Sequence, residues 1–191
     1  MEQEYYRTFI ALPANAGEDL LSMAEGLKHA LSGERISWVK PENYHFTLRF
    51  LGETPADQVR QIGEALKSGI HASVFNLRLT RPGRFGPRKR PRVLYFGIQP
   101  SAEIINLRDQ VENILKDCGW PPVDQPFRAH LTLGRIRSLK DAGKLEDVVD
   151  RFSEADPGSL KMDRLVYFRS VLGPGGPVYS PITVVDFYGI T

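Results

Sequence analysis

His45-Phe46-Thr47-Leu48-Arg49-Phe50-Leu51-Gly52 and His130-Leu131-Thr132-Leu133-Gly134-Arg135 are two versions of one phrase. Each opens on His-x-Thr-Leu, and together they use two of the chain's four histidines. Side chains of an extended strand alternate between faces, so His45 and Thr47 share one face while Phe46 and Leu48 take the other. The same rule separates His130 and Thr132 from Leu131 and Leu133. One face of each strand suits packing against helices. The other presents an imidazole and a hydroxyl.

Outward from these strands the two halves repeat an order. Arg7 to Leu12 reads as a buried strand stopped by Pro13. Leu20, Leu21, Ala24, Leu27 and Leu31 then recur at helical spacing over residues 16–31. A short strand at Ile36–Val39 precedes the strand that opens on His45. A helix over 55–70 and an alternating strand from Val74 to Leu79 complete the half. The order restarts at Val93–Ile98. A helix over 101–117 follows, with Ser101 as its N-cap. A strand runs from Phe127 to Ile136 and a short helix covers 141–152. Leu160–Leu172 and Val178–Tyr188 read as strands separated by Gly173-Pro174-Gly175-Gly176-Pro177.

This is an internal duplication. Short strands mixed with helices, with no Gly-rich strand-to-helix fingerprint, predict an α+β fold. The expected architecture is bilobal and pseudo-symmetric, with two antiparallel sheets facing a central cleft and helices outside. Residues 1–191 read as one domain, with halves of approximately 1–80 and 93–191. If the halves pair about a pseudo-twofold axis, two His/Thr pairs meet across the cleft.

Composition narrows the classes. The 191 residues are 41% hydrophobic and 25% charged, which excludes a disordered tail, a collagen or a coiled coil. No run of 18 apolar residues exists, so no membrane partner is expected. The acidic start, Met1-Glu2-Gln3-Glu4, lacks the basic-then-apolar order of a signal peptide. A single cysteine, Cys118, excludes an intrachain disulfide and points to a reducing, cytoplasmic location. It reads as a helix-end hydrophobe. Residues 81–92 hold six basic side chains and no acid, although the net charge is only +2. The remainder of the chain is therefore at −4. This connector is either a solvated link between the halves or a surface that draws in a nucleic-acid backbone.

Two imidazoles in one cleft suit general acid–base chemistry near neutral pH. One takes a proton from water, the other gives one to a leaving alkoxide, and the threonines hydrogen-bond phosphate oxygens. No cysteine cluster, His-Glu-x-x-His or carboxylate-rich grouping accompanies the histidines, so no metal ligands are assigned. His29 and His71 read as surface residues.

At these residues the chain resembles the two-histidine (2H) phosphoesterase superfamily, and within it the RNA 2′,3′-cyclic phosphodiesterases, historically called 2′-5′ RNA ligases. The resemblance runs through Arg7-Thr8-Phe9-Ile10-Ala11-Leu12-Pro13, Trp38 to Asn43, both histidine strands, Gly83-Arg84-Phe85-Gly86, Pro91 to Tyr95, Ser170-Val171-Leu172 and Gly176-Pro177-Val178-Tyr179. It implies hydrolysis of a 2′,3′-cyclic phosphate on RNA or a nucleotide to a 2′-phosphomonoester, without metal or nucleotide cofactor. Some relatives also join RNA ends reversibly through a 2′-5′ bond. The implied roles are His45 as proton donor and His130 as proton acceptor, with the exchanged assignment left open by the pseudo-symmetry. Thr47 and Thr132 are expected beside the phosphate, and Arg135 matches a phosphate-contacting arginine of the family. Tyr179 is a further candidate for the cleft wall. The family often has proline where Ala129 stands, and many relatives have tryptophan where Tyr95 stands.

Phe46 is expected in the core. Phe85, Tyr95 and Phe127 stand where a base could stack, with core packing favoured for each. A complete bilobal site implies that a monomer suffices. The alternatives are a 2′-5′ oligonucleotide phosphodiesterase of the same superfamily and a non-catalytic RNA-binding module.

Overall fold

Phe46 lies opposite Leu131 in an antiparallel pairing, and this contact joins the two halves of the molecule. The computed structural model describes residues 3–123, 126–174 and 176–189. Nine strands form one sheet: β1 (Tyr5–Pro13), β2 (Arg35–Trp38), β3 (His45–Pro55), β4 (Phe75–Phe85), β5 (Val93–Ile98), β6 (His130–Ser138), β7 (Ser159–Met162), β8 (Arg164–Gly173) and β9 (Gly176–Asp186). The spatial order is β7-β4-β5-β6-β3-β1-β8-β9, with β2 paired to β6 outside this path. The α+β class holds. The two sheets expected to face a cleft are two half-sheets made continuous where β3 meets β6.

The sequence halves interleave. β2 and β4 come from the first half but lie with β6 and β5, whereas β8 and β9 come from the second half and extend β1. The expected single strand over Leu160–Leu172 is two strands broken at Asp163. Its first part, β7, pairs with β4, and its second, β8, pairs with β1. That break lets the chain leave one half-sheet for the other, a non-local choice that strand periodicity does not encode. The predicted Phe127–Ile136 strand begins only at His130.

Four helices cover the other face: α1 (Glu18–Ala30), α2 (Ala56–Gly69), α3 (Ala102–Asp117) and α4 (Ala142–Arg151). Each buries an apolar stripe, such as Leu20, Met23, Ala24 and Leu27 in α1 and Ile104, Leu107, Val111 and Leu115 in α3. Ser101 caps α3 by accepting from the Ile104 N–H at 3.4 Å. Asp141 caps α4 by accepting from Gly143 and Lys144. The back faces of β3 and β6 meet these helices through Phe46, Leu48, Leu131 and Leu133, all buried. The opposite face, with both histidines, is left for the cleft.

Behind β1 a hydroxyl cluster replaces apolar packing. Tyr167 donates to Thr8 Oγ1 at 3.1 Å, and Thr8 and Thr54 share a hydrogen bond of 2.7 Å. Thr54 also donates to the Gly52 carbonyl. The cluster satisfies three buried hydroxyls and ties β1 to β3 and β8.

The basic segment is largely a hairpin. β4 runs to Phe85 and β5 starts at Val93, so residues 86–92 form the turn. Arg84 is bound by Glu146 of α4, and Arg88 lies 4.0 Å from the same carboxylate. Two of the six positive charges are thus engaged by one acid from the opposite layer.

Candidate active site

The first turn of each histidine strand repeats the same hydrogen bond. His45 Nδ1 lies 2.7 Å from the Asn43 carbonyl, and His130 Nδ1 lies 2.7 Å from the Arg128 carbonyl. A carbonyl oxygen only accepts, so each Nδ1 carries the proton. Each Nε2 is left to accept a proton when the ring is neutral or to donate one when it is charged. The backbone two residues upstream thereby fixes tautomer and ring orientation together.

Aromatic rings support both imidazoles. Phe9 lies 5.1 Å from the His45 ring and stacks at 5.1 Å on Phe168, while Tyr179 meets His45 edge-on at 5.4 Å. In the other half Phe85 stacks on Tyr95 at 4.2 Å and meets His130 edge-on at 4.7 Å. The sequence favours core packing for Phe85 and Tyr95, and the structure puts both on the cleft face instead. Gly83 permits this, because a Cβ there would stand 2.9 Å from the Tyr95 ring. Phe127 packs at the core margin under Arg108. Phe46 is fully buried, as expected.

Arg135 reaches the cleft by a register shift. It stands at the fifth position after His130, so simple alternation places it on the opposite face. Thr132 pairs with Tyr95 but Gly134 pairs with Leu94, which makes Leu133 the extra residue of a bulge. Beyond it the alternation inverts, and Arg135 joins the face of His130 and Thr132. β3 does the same. Thr47 pairs with Ala11 and Arg49 with Ile10, so Leu48 is extra and Phe50 comes to the face of His45. Phe50 and Arg135 thus occupy equivalent positions in the two halves.

Thr47 and Thr132 are half-buried beside their histidines. Tyr179 pairs with Ser170 and is half-buried in the cleft wall. Both imidazoles are held below the ordinary histidine range, chiefly by burial, against the opposing pull of the carbonyl hydrogen bond. Arg135 depresses both further, and the other histidine depresses His45. Burial pushes Tyr179 up, while Arg135 and Arg7 pull it down. The structure therefore brings His45, His130, Thr47, Thr132, Arg135 and Tyr179 to one cleft. His29 and His71 are exposed elsewhere. Among the described residues no group of three or more His, Cys, Asp or Glu side chains is placed to hold a metal ion.

Sequence reasoning misses Arg7, Phe9, Phe50 and Phe168. Arg7 stands over the Phe50 ring at 4.9 Å. The run Arg7 to Leu12 looks buried on both faces, and its alternation supplies the available signal: Phe9 is two residues from Arg7 and shares its face.

A family model described as LigT like phosphoesterase matches residues 10–95 and 97–179. An RNA 2′,3′-cyclic phosphodiesterase of Aeropyrum pernix is 32% identical over 164 residues, covering 85% of this chain and 92% of its own length. One of Thermotoga maritima is 29% identical over 186 residues, covering 96% of each. Among solved structures, a Thermus thermophilus protein has a TM-score of 0.74 at 22% identity, covering 97% of this chain and all of its own. E. coli LigT complexed with 3′-AMP has a TM-score of 0.71 at 23% identity, covering 96% and 99%. With the family match spanning most of its length, including both histidine strands, this chain belongs to the LigT-like phosphoesterases.

Proposed function

We propose that this protein hydrolyses a ribose 2′,3′-cyclic phosphate at the end of RNA, or on a nucleotide, to a 2′-phosphomonoester by two-histidine acid–base catalysis. The observation that carries this reading is the repeated carbonyl clamp on Nδ1, which frees Nε2 of each ring for proton transfer. Its relatives of A. pernix and T. maritima carry the corresponding name.

Neutral His130 accepts a proton from water through Nε2 as the water oxygen bonds to phosphorus. The P–O3′ bond breaks, and protonated His45 gives its Nε2 proton to the departing 3′-oxygen. Phosphate stays on the 2′-oxygen. Charge that develops on the phosphoryl oxygens meets Arg135 and the hydroxyls of Thr47 and Thr132. Arg135 suits this task because its guanidinium offers forked donors to an oxyanion. Tyr179 and Phe9 hold the His45 ring, and Phe85 and Tyr95 hold that of His130.

Incubation with adenosine 2′,3′-cyclic phosphate in the presence of a chelator tests the reading. The expected product is the 2′-phosphate. Loss of turnover on chelation overturns the metal-free mechanism.

A further inference from the structure

The duplication is broken beside β3, and a pocket lies there. Because β3 and β6 pair only at Phe46 and Leu131, their continuations diverge. Beyond this point β6 is lined by β2, with Ile36, Ser37 and Trp38 opposite Ile136, Arg135 and Gly134. Counted back from each histidine, the counterpart of β2 is Trp120-Pro121-Pro122-Val123. Proline has no N–H to give a sheet ladder, so this segment cannot mirror β2. No strand covers the corresponding edge of β3 among the described residues.

The gap is a pocket of about 580 Å³, within the range of small-molecule sites. It starts at Thr47 and His130 and descends past the edge of β3 to α3. Phe50, 50% exposed, and Phe127 supply apolar surface. Arg49, Arg108 and Arg128 face one acid among the lining residues, Glu112. Arg49 is only 6% exposed and lies 3.3 Å from Glu112, while Arg108 lies 3.9 Å from it. Arg108 also approaches exposed Asp109 at 3.5 Å. Neither Arg49 Nε nor Arg108 Nε has an acceptor among the described residues. Two guanidinium groups sharing one half-buried carboxylate leave an excess of positive charge in a wall that adjoins the reacting groups.

The symmetry mates show that this chemistry is local to β3. Gly134 occupies the place of Arg49, and a Cβ there would lie 2.7 Å from Ile36. Arg135 occupies the place of Phe50. One half spends the position on a covering strand and a cation over the cleft. The other leaves an open slot with an aromatic lip and a cationic wall.

We infer that this slot receives the nucleotide preceding the cyclic end, with its base against Phe50 and the phosphodiester that links it to the terminal ribose near Arg108 and Arg128. The inference rests on the cyclic-phosphate reading and adds to it a preference for an RNA 3′ end over a mononucleotide. Stacking on an aromatic face tolerates any base, so no sequence preference is expected.

The test compares kcat/KM for adenosine 2′,3′-cyclic phosphate with that for a dinucleotide ending in the same group, using wild type, Arg108→Gln and Arg108→Lys. Wild type is expected to prefer the dinucleotide by roughly tenfold or more, in a salt-dependent way. Arg108→Gln is expected to erase most of that preference while sparing the mononucleotide, and Arg108→Lys to retain part of it. Calorimetric binding of the 2′-phosphorylated dinucleotide product should weaken in the same order. Equal kcat/KM for the two substrates in wild type overturns the slot but not the hydrolase. Equal losses on both substrates in Arg108→Gln also overturn it, by making Arg108 merely structural. Failure of wild type to hydrolyse either substrate overturns the underlying activity and the slot with it.

Discussion

Arg135 and His45 come from different half-sheets, yet the Arg135 cation lies close enough to depress the His45 imidazole. The cleft is electrostatically one site, and its pH dependence follows. Burial lowers both histidines first, with Arg135 adding to each. The productive form has one neutral and one protonated ring, so it is most populated between two values that both lie below the usual ~6.5. The kcat/KM profile, which reports the free enzyme, should be bell-shaped with its maximum below about pH 6.5. A bound phosphate anion favours the protonated rings, so the kcat maximum should lie higher. Rate profiles with saturating and limiting substrate check both, and a kcat/KM maximum above about pH 7.5 contradicts the electrostatic account.

Removing either proton carrier should be costly. His45→Ala and His130→Ala should each lower kcat by about 10²–10⁴. The double variant should lose far less than the product of the two, because the rings act as a unit. Steady-state rates of the three variants, with circular dichroism to verify folding, measure this.

The hydroxyl cluster behind β1 should matter to stability more than to chemistry. Thr8→Val removes the acceptor of Tyr167 and the partner of Thr54 in a buried setting. The expected loss is about 1–3 kcal/mol by urea unfolding. Replacing Tyr167 by Phe in the Thr8→Val background should restore part of it, since the orphaned hydroxyl is then gone. Additive losses in the double variant argue against a shared network.

Arg84 and Arg88 share Glu146, which leaves Arg81 in β4 and Lys89, Arg90 and Arg92 in the turn, and the turn's capacity for RNA rests on the last three. Neutralising Lys89, Arg90 and Arg92 together should weaken binding of longer RNA. The salt slope should fall by up to ~0.7 for each lost contact to a single strand. Turnover of a mononucleotide should be unchanged. Equal salt slopes for the variant and wild type would identify the hairpin turn as a solvated link.

Local chemistry is legible in the sequence, and register is not. The His-x-Thr-Leu alternation places both imidazoles with their threonines and sends Phe46 and Leu131 to the core. The helix stripes and the Ser101 cap are legible for the same reason, since each depends on near neighbours. Arg135 is assigned by resemblance, because alternation alone points it away from the cleft. It arrives through the Leu133 bulge, which depends on how β5 pairs with β6. Phe50 escapes notice for the same reason at Leu48. The break at Asp163 and the crossing of β8 and β9 into the first half-sheet follow from long-range pairing. Phe85 and Tyr95 resemble core residues in composition, and only the cleft beside them shows otherwise.

The most direct test of the central claim is the position of the phosphate after one turnover of adenosine 2′,3′-cyclic phosphate with excess chelator. Phosphorus NMR or chromatography against both standards distinguishes the isomers. Proton delivery from His45 to the 3′-oxygen predicts the 2′-phosphate alone, at a rate the chelator does not change. Exclusive formation of the 3′-phosphate, or undiminished turnover in a His45→Ala, His130→Ala double variant, would contradict it.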